Sequence, residues 1–541
     1  MTSLFNKDKI QYILFTVSII VFRYYWSLIS QWREDQSTNL WIAYTSEINQ
    51  IPVGLLSSKD IATPNFIILI GKILNIFDDI LLITITISVF QIFCFYLLVK
   101  QLPIEKDRKY FLIIILSFST LLSASSIEFW NNWILISLNS LFFYFYLKYL
   151  SSRKIVLIPI LFIVATLPFA VYLAGLVNTI TFCLLIIFEI FRTKDFVRSR
   201  FLYQKCIFIL ASISLYIYYV WIPFLNNVSI NQLTSFSEQS IYDRVNLLSD
   251  EILHLPGTFL TIWTTQKTFY IFQINRDIVS NFTFEIFKIF VEFHKILIVL
   301  FLYCFLQNIK NKSSLNKNKT NYFYIQIVFT FFIFFTTLIT PVLGGPNYRY
   351  YERLENYVQF YPFFIIILYF TFTTFTSQKQ NKRYSIFINL ILITFVSLNI
   401  FMSVLTINEN LKYSGDKLTE ADVPLIQKIE IVDFIAEDMK SKGLSKASIS
   451  YDLGGGIWDW IPLHGSKFST WYPNYPYTIG RIYDYLLFKK YSISNLYEGE
   501  NSRNFEDSEY IISYKFQELN TQEGLNYKNY EFKRLRLSIR D

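Results

Sequence analysis

The feature that most constrains this chain is a repeated alternation between apolar runs of about 20 residues and short polar segments, from residue 10 to residue 405. A helix of that length covers the roughly 30 Å hydrocarbon core of a bilayer, where only internally bonded backbone is tolerated. About eleven runs meet the requirement: residues 10–30, 79–99, 110–127, 133–150, 155–172, 174–191, 206–225, 286–307, 322–341, 358–376 and 385–405. The break between the fifth and sixth rests only on LPFAVYLAGLVN. A composition of 53% hydrophobic and 17% charged residues, with 55 Phe and 39 Tyr, excludes a soluble multidomain enzyme.

Basic residues set the orientation. Lys7 and Lys9 precede the first run, and later clusters stand at Lys100/Lys106/Arg108/Lys109, Arg153/Lys154, Arg192/Lys194/Arg198/Arg200/Lys205, Lys310/Lys312/Lys317/Lys319 and Lys379/Lys382/Arg383. With an odd number of spans, all of these fall on one side, which the positive-inside rule makes cytoplasmic. The formal charge of +8 therefore records membrane orientation and points away from nucleic acid. Cys94, Cys183, Cys206 and Cys304 lie inside apolar segments without metal-ligand spacing, so neither a disulfide framework nor a zinc site is indicated. The first apolar run lacks a small-residue cleavage site and reads as a retained span.

The opposite side receives residues 31–78, 128–132, 226–285, 342–357 and a tail from about residue 406 to 541. The tail differs in composition. VPLIQKIEIVDFIAEDMKSKGL carries an amphipathic helical pattern with Gly443 as a stop signal, KASISYDL reads as a strand, and SEYIISYKF and YEFKRLRLSI are two further strand candidates. The expected fold is thus mainly α: a polytopic membrane domain over residues 1–405 with about eleven transmembrane helices, followed by a small extracytoplasmic α/β domain over 406–541.

Chemistry is expected where acidic residues stand beside the membrane on that outer face. In WREDQSTNLWIAY, Glu34 and Asp35 directly follow the first span. A carboxylate at a partly dehydrated interface can deprotonate an acceptor hydroxyl or amine. Alternatively, the two acids serve the N-terminus of a helix through NLWIAYTSEI, with Ser37 or Thr38 as cap.

The stretch REDQSTNLWIAY, followed by GLLSSKDIATPNFIILIG, resembles the first external loop of GT-C superfamily glycosyltransferases such as protein O-mannosyltransferases and lipid A aminoarabinose transferases. The resemblance implies many spans, often a soluble C-terminal domain, a polyprenyl-phosphate-linked sugar donor and inversion at the anomeric centre. Asp35 matches the first carboxylate of the usual Asp-Glu pair. Gln36 stands where the second belongs, which leaves that role to Glu34 or to another segment.

Glu128 in SSIEFWNNW, flanked by Trp130 and Trp133, is the candidate second carboxylate from the next external turn; it reads equally as an ordinary helix-end residue between interfacial anchors. A lipid-linked phosphate calls for cations. The loop GGPNYRYYERLENYVQFYP offers Arg349 and Arg353, four residues apart, among Tyr348, Tyr350 and Tyr351. These arginines break the positive-inside pattern, which favours anion binding over snorkelling arginines paired to Glu352 or Glu355. Lys59 is a further candidate for the phosphate or a solvated loop residue, and Arg23 near the end of the first span either snorkels or joins that pocket.

Other features are weaker. Gly454, Gly455 and Gly456 lack nucleotide-binding spacing and read as a loop. The aromatic run WDWIPLHGSKFSTWYPNYPY, with His464, is either a carbohydrate-contacting surface or a buried aromatic core. His254 and His294 are isolated, and Glu292, His294 and Lys295 fall near one end of the eighth run. The expectation is an integral membrane glycosyltransferase of the cell envelope, taking a polyprenyl-phospho-sugar donor and a lipid, glycan or protein acceptor. No cofactor is required by the motifs, although a divalent cation is compatible with them. The alternative is a polysaccharide or lipid transporter, flippase or polymerase, against which stand the missing internal repeat and the acids clustered at the interface.

Overall fold

The computed structural model describes residues 7–32, 34–47, 64–127, 131–154, 156–172, 175–193, 214, 217–222, 243–249, 279–310, 317–344, 358–379, 382–412, 423–453, 481–496, 507–515 and 526–540. Within these, α1 is Lys7–Leu28, α2 Glu34–Thr45, α3 Phe66–Leu74, α4 Ile80–Gln101, α5 Lys106–Ser117, α6 Thr120–Ala124, α7 Asn131–Ser152, α8 Leu157–Val171 and α9 Gly175–Thr193. Then come α10 Asn281–Lys310, α11 Lys317–Gly344, a 3-10 turn Val358–Phe360, α12 Tyr361–Lys379 and α13 Lys382–Lys412. Seven helices, corresponding to α4, α7 and α9–α13, are long and apolar enough to cross a membrane, and Leu14–Leu28 and Leu157–Val171 are shorter apolar helices. The expected span at 206–225 falls mostly outside the described residues; Ile217–Trp221 within it is π-helical.

Three local features refine the expected runs. The run 110–127 is two helices, because Phe118 and Ser119 leave the helix and Ser119 Oγ caps α6 by accepting the Leu122 N–H. The weak break between the fifth and sixth runs is a tight hairpin in which α8 ends at Val171 and α9 begins at Gly175. A Cβ on Gly175 would lie 2.1 Å from the Pro168 carbonyl oxygen, so only glycine lets the two backbones approach this closely. His294, expected near the end of its run, lies near the middle of the 30-residue α10. Its Nδ1–H donates to the Phe290 carbonyl at 2.8 Å, which leaves Nε2 to accept from the Tyr361 hydroxyl at 3.2 Å.

The aromatic bias of the sequence becomes interhelical packing. Phe143 of α7 meets Phe182 of α9, Phe329 and Phe332 of α11 and Phe363 of α12 edge-on, with centroids 4.8–5.5 Å apart. This is the favoured quadrupole geometry, and in lipid such packing substitutes for a hydrophobic driving force between helices. Helix α12 is the central one, with 83% of its apolar window buried. Polar groups tie the bundle at both ends. Near one end the amides of Asn139, Asn178 and Gln359 interlock at 2.6–3.1 Å. At the other end the buried Glu189 accepts from Arg153, Arg192 and the Tyr324 hydroxyl.

The C-terminal domain holds α14 Leu425–Ser441, β1 Lys446–Ala447, β2 Ile449–Asp452, α15 Arg481–Tyr491, β3 Ser494–Asn495, β4 Tyr510–Tyr514, β5 Tyr527–Glu531 and β6 Leu535–Arg540. Its main sheet has the order β2-β4-β6-β5, with β2 parallel to β4 and the other pairs antiparallel. The expected stop at Gly443 is a left-handed residue with φ of 68°, and the Leu444 N–H closes back on the Met439 carbonyl at 2.9 Å. The single strand expected over YEFKRLRLSI is instead the end of β5, a turn and β6. Lys533 and Arg534 form that turn, and both donate to carbonyls at the C-terminus of α13, those of Leu411 and Asn410. Cations at a helix C-terminus are favourable, and here they bolt the sheet onto the last helix of the bundle.

Candidate functional site

The sequence places its main candidate acids, Glu34 and Asp35, just after α1, and the structure starts α2 at Glu34, so both lie in its first turn. The positive end of the helix dipole favours negative charge there, from carboxylate or phosphate alike. The side chains of Glu34, Asp35 and Gln36 lie outside the described part. Lys59, Glu128, Tyr348, Arg349, Tyr351 and Arg353 lie outside the described residues altogether, as do His254, His464 and Gly454, Gly455 and Gly456.

What the structure does describe is how α2 is held. The turn from α1 into α2 runs through Ser30, Gln31 and Trp32, all buried. Trp32 has φ of 42°, a left-handed conformation that an aromatic residue adopts only when its surroundings over-determine it. The restraints come from two directions. On the bundle side, Ser30 Oγ donates to the Ile127 carbonyl at 2.7 Å, and Trp32 Nε1 donates to Thr84 Oγ1 at 3.1 Å. From the C-terminal domain, the Leu425 N–H donates to the Ser30 carbonyl at 2.7 Å, and the fully buried Lys428 donates through Nζ to the carbonyls of Gln31 at 2.6 Å and Trp32 at 3.4 Å.

The rest of α2 is fixed in the same way. Lys72 of α3 caps its C-terminus by donating to the carbonyls of Ala43, at 3.0 Å, and Ser46, while Asn75 Nδ2 donates to the Leu40 carbonyl at 3.1 Å. Burial pushes the Lys72 amine below its usual value, and the nearby Glu47 partly opposes this. Helix α15 covers the other side: Phe488 stacks edge-on against Trp41 and Tyr44 at 5.3 and 5.8 Å, and Tyr485 Oη and Lys489 Nζ both donate to Asn75 at 2.6 Å. Helix α2 is therefore clamped between the bundle, α3 and the C-terminal domain, with Ser37, Thr38, Asn39 and Leu40 consecutively buried.

Two of the segments expected to share a site meet here. Ile127, the residue before Glu128, accepts the Ser30 hydrogen bond in the turn that leads to Glu34 and Asp35. The segment carrying Arg349 and Arg353 returns to the described structure at Val358, beside Gln359 of the amide cluster. Arg23 takes a different part from either expectation. Its guanidinium is fully buried and donates to the carbonyls of Ser117 at 2.9 Å and Leu122 at 3.1 Å and to Ser126 Oγ at 2.5 Å. It bridges the C-terminal carbonyls of α5 and α6 across their break. Sequence reasoning missed Lys428, because a lysine in an amphipathic pattern reads as solvated, and missed Asn39, which has no motif to signal it. Among the described residues no group of three metal-ligating side chains comes together.

No family model, no curated protein and no solved structure matches this chain.

Proposed function

We propose that the chain is an integral membrane glycosyltransferase that crosses the bilayer about eleven times, carries its C-terminal domain on the outer face, and transfers a sugar there from a polyprenyl-phosphate donor. The observation that supports this reading is the immobilised α2, whose first turn contains Glu34 and Asp35. Positioning of this kind is what general-base catalysis requires. An alternating-access transporter, by contrast, needs its binding elements to move between two states.

In the proposed reaction Asp35 accepts the proton of an acceptor hydroxyl or amine as the acceptor atom bonds to the anomeric carbon. The bond from that carbon to the phosphate oxygen breaks in the same step, with inversion, and the lipid phosphate leaves with the electron pair. Arg349 and Arg353, together with Tyr348, Tyr351 and Lys59, bind that phosphate and stabilise its charge. Glu34 or Glu128 supplies the second carboxylate.

The test is direct incubation of the purified protein with a panel of radiolabelled polyprenyl-phospho-sugars and membrane lipids, together with a reporter of outer-face location fused after residue 541 and near Lys317. Transfer from one donor, with the reporter active only at residue 541, is the expected result. Absence of transfer across the panel, or activity at both fusion points, would overturn the reading.

A further inference from the structure

Asn39 of α2 is fully buried, and neither its Oδ1 nor its Nδ2 meets a hydrogen-bond partner among the described residues. The same holds for Oγ1 of the adjacent, equally buried Thr38. A buried polar atom without a partner costs about 1–3 kcal/mol, and native proteins keep few of them. Three such atoms on neighbouring residues of one clamped helix point to a ligand that satisfies them.

Helical geometry says where they stand. At about 100° per residue, Asn39 falls one turn after Asp35 on the same face of α2, and Thr38 borders that face. It lies roughly 170° from the midpoint of Trp41 and Tyr44, the residues that meet Phe488 of the C-terminal domain. The orphaned amide therefore falls on the helix face of the proposed base and on the side of α2 opposite Phe488.

We infer that Asn39 and Thr38 bind hydroxyls of the sugar being transferred, an inference that rests on the glycosyl-transfer reading. A carboxamide presents an acceptor and a two-proton donor side by side. Vicinal sugar hydroxyls match it, one donating to Oδ1 and the other accepting from Nδ2, and the Thr38 hydroxyl serves a third. Both side chains are neutral, so they hold the sugar next to Asp35 without competing with it for the proton. Sites that bury hydrogen-bonding groups discriminate strongly against analogues lacking the matching hydroxyl.

The experiment compares wild type with Asn39→Leu and Thr38→Val in lipid nanodiscs. Without ligand, Asn39→Leu is expected to keep or raise the melting temperature, because it removes atoms that have no partner; a clear drop would make Asn39 a structural residue and overturn the inference. Binding is then read for the sugar-bearing donor found in the transfer assay and for the same polyprenyl phosphate lacking sugar. Asn39→Leu is expected to lose roughly 10- to 100-fold of the preference for the sugar-bearing lipid, the range of one or two buried hydrogen bonds, with affinity for the bare lipid phosphate unchanged. A retained preference in a variant that still transfers sugar overturns the inference and leaves the glycosyltransferase standing. Failure of wild type to bind any sugar-bearing lipid removes both.

Discussion

Replacing Lys428 with Met is expected to loosen α2 without unfolding the C-terminal domain. The ammonium group donates to the carbonyls of Gln31 at 2.6 Å and Trp32 at 3.4 Å and stands 5.9 Å from the Tyr483 ring. Hydrogen bonds from a charged donor contribute about 1.5–3 kcal/mol, and carbonyls left buried and unpaired cost more. Removing the desolvated charge offsets part of this, so a net loss of about 2–3 kcal/mol is expected, on the α2 docking contacts alone. At about 1.4 kcal/mol per tenfold, local opening should rise roughly 30- to 140-fold. Hydrogen exchange of peptides covering residues 34–47 reads this, with β4 and β6 as internal references. Less than about a threefold change in α2 exchange would refute the clamp. An equal rise across β4 and β6 would mean that Lys428 supports the domain's own fold instead. Lys490→Gln is the control: its pair with Asp433 is largely exposed, and exposed pairs contribute about 0–1 kcal/mol.

Burial by itself raises the Asp438 carboxyl, but the bonds from Lys442 at 2.7 Å and Tyr510 at 2.6 Å outweigh it and hold the group below the ordinary carboxylate range. A depressed carboxyl contributes stability that is complete above about pH 4 and lost as pH falls through the folded-state value. Asp438→Asn should accordingly lower the melting temperature at neutral pH and flatten its acid limb, and a limb as steep as wild type's would contradict this. Gly175→Ala puts a Cβ against the Pro168 carbonyl and should destabilise the α8–α9 hairpin by about 1–3 kcal/mol, read by thermal unfolding in detergent; an unchanged transition would contradict the close approach. Replacing both Arg349 and Arg353 with Gln should weaken binding of the donor phosphate, each arginine contributing about 1.5–3 kcal/mol, and undiminished affinity in a folded double variant would remove them from the site.

Hydropathy carried most of the helical bundle, because a long unbroken apolar run leaves few options for the backbone. Seven of the expected runs coincide with helices long and apolar enough to cross a membrane, the run 110–127 is broken at Phe118 and Ser119, and the glycine at residue 175 lies inside the weak break between the fifth and sixth runs. The α5–α6 break was not legible, since serine-rich SFSTLLSASS is still apolar enough to pass as one span. In the C-terminal domain the amphipathic α14 and its Gly443 stop were readable, whereas alternation across YEFKRLRLSI concealed a turn whose cause lies 122 residues away at Leu411. The same holds for the candidate site. Glu34 and Asp35 could be seen as an acidic pair after a span, but nothing local signals that Lys428, 396 residues on, grips the Trp32 carbonyl. Contacts between sequence-distant segments leave no periodic trace, and an orphaned amide such as Asn39 becomes visible only when its neighbours are known.

The central claim is that Asp35, presented by the clamped α2, is the general base of sugar transfer, and Asp35→Asn tests it most directly. The amide keeps the size and hydrogen bonding of the carboxylate and removes its basicity. Turnover should fall about 100- to 10,000-fold while donor binding persists, far beyond the roughly 1 kcal/mol that loss of a helix-terminal carboxylate costs in stability. Glu34→Gln and Glu128→Gln, measured alongside, show whether the base has been assigned to the wrong carboxylate. Near wild-type transfer by a well-folded Asp35→Asn protein would contradict the claim, and if both companion variants were also active, the account of this site as a glycosyltransferase centre would lose its support.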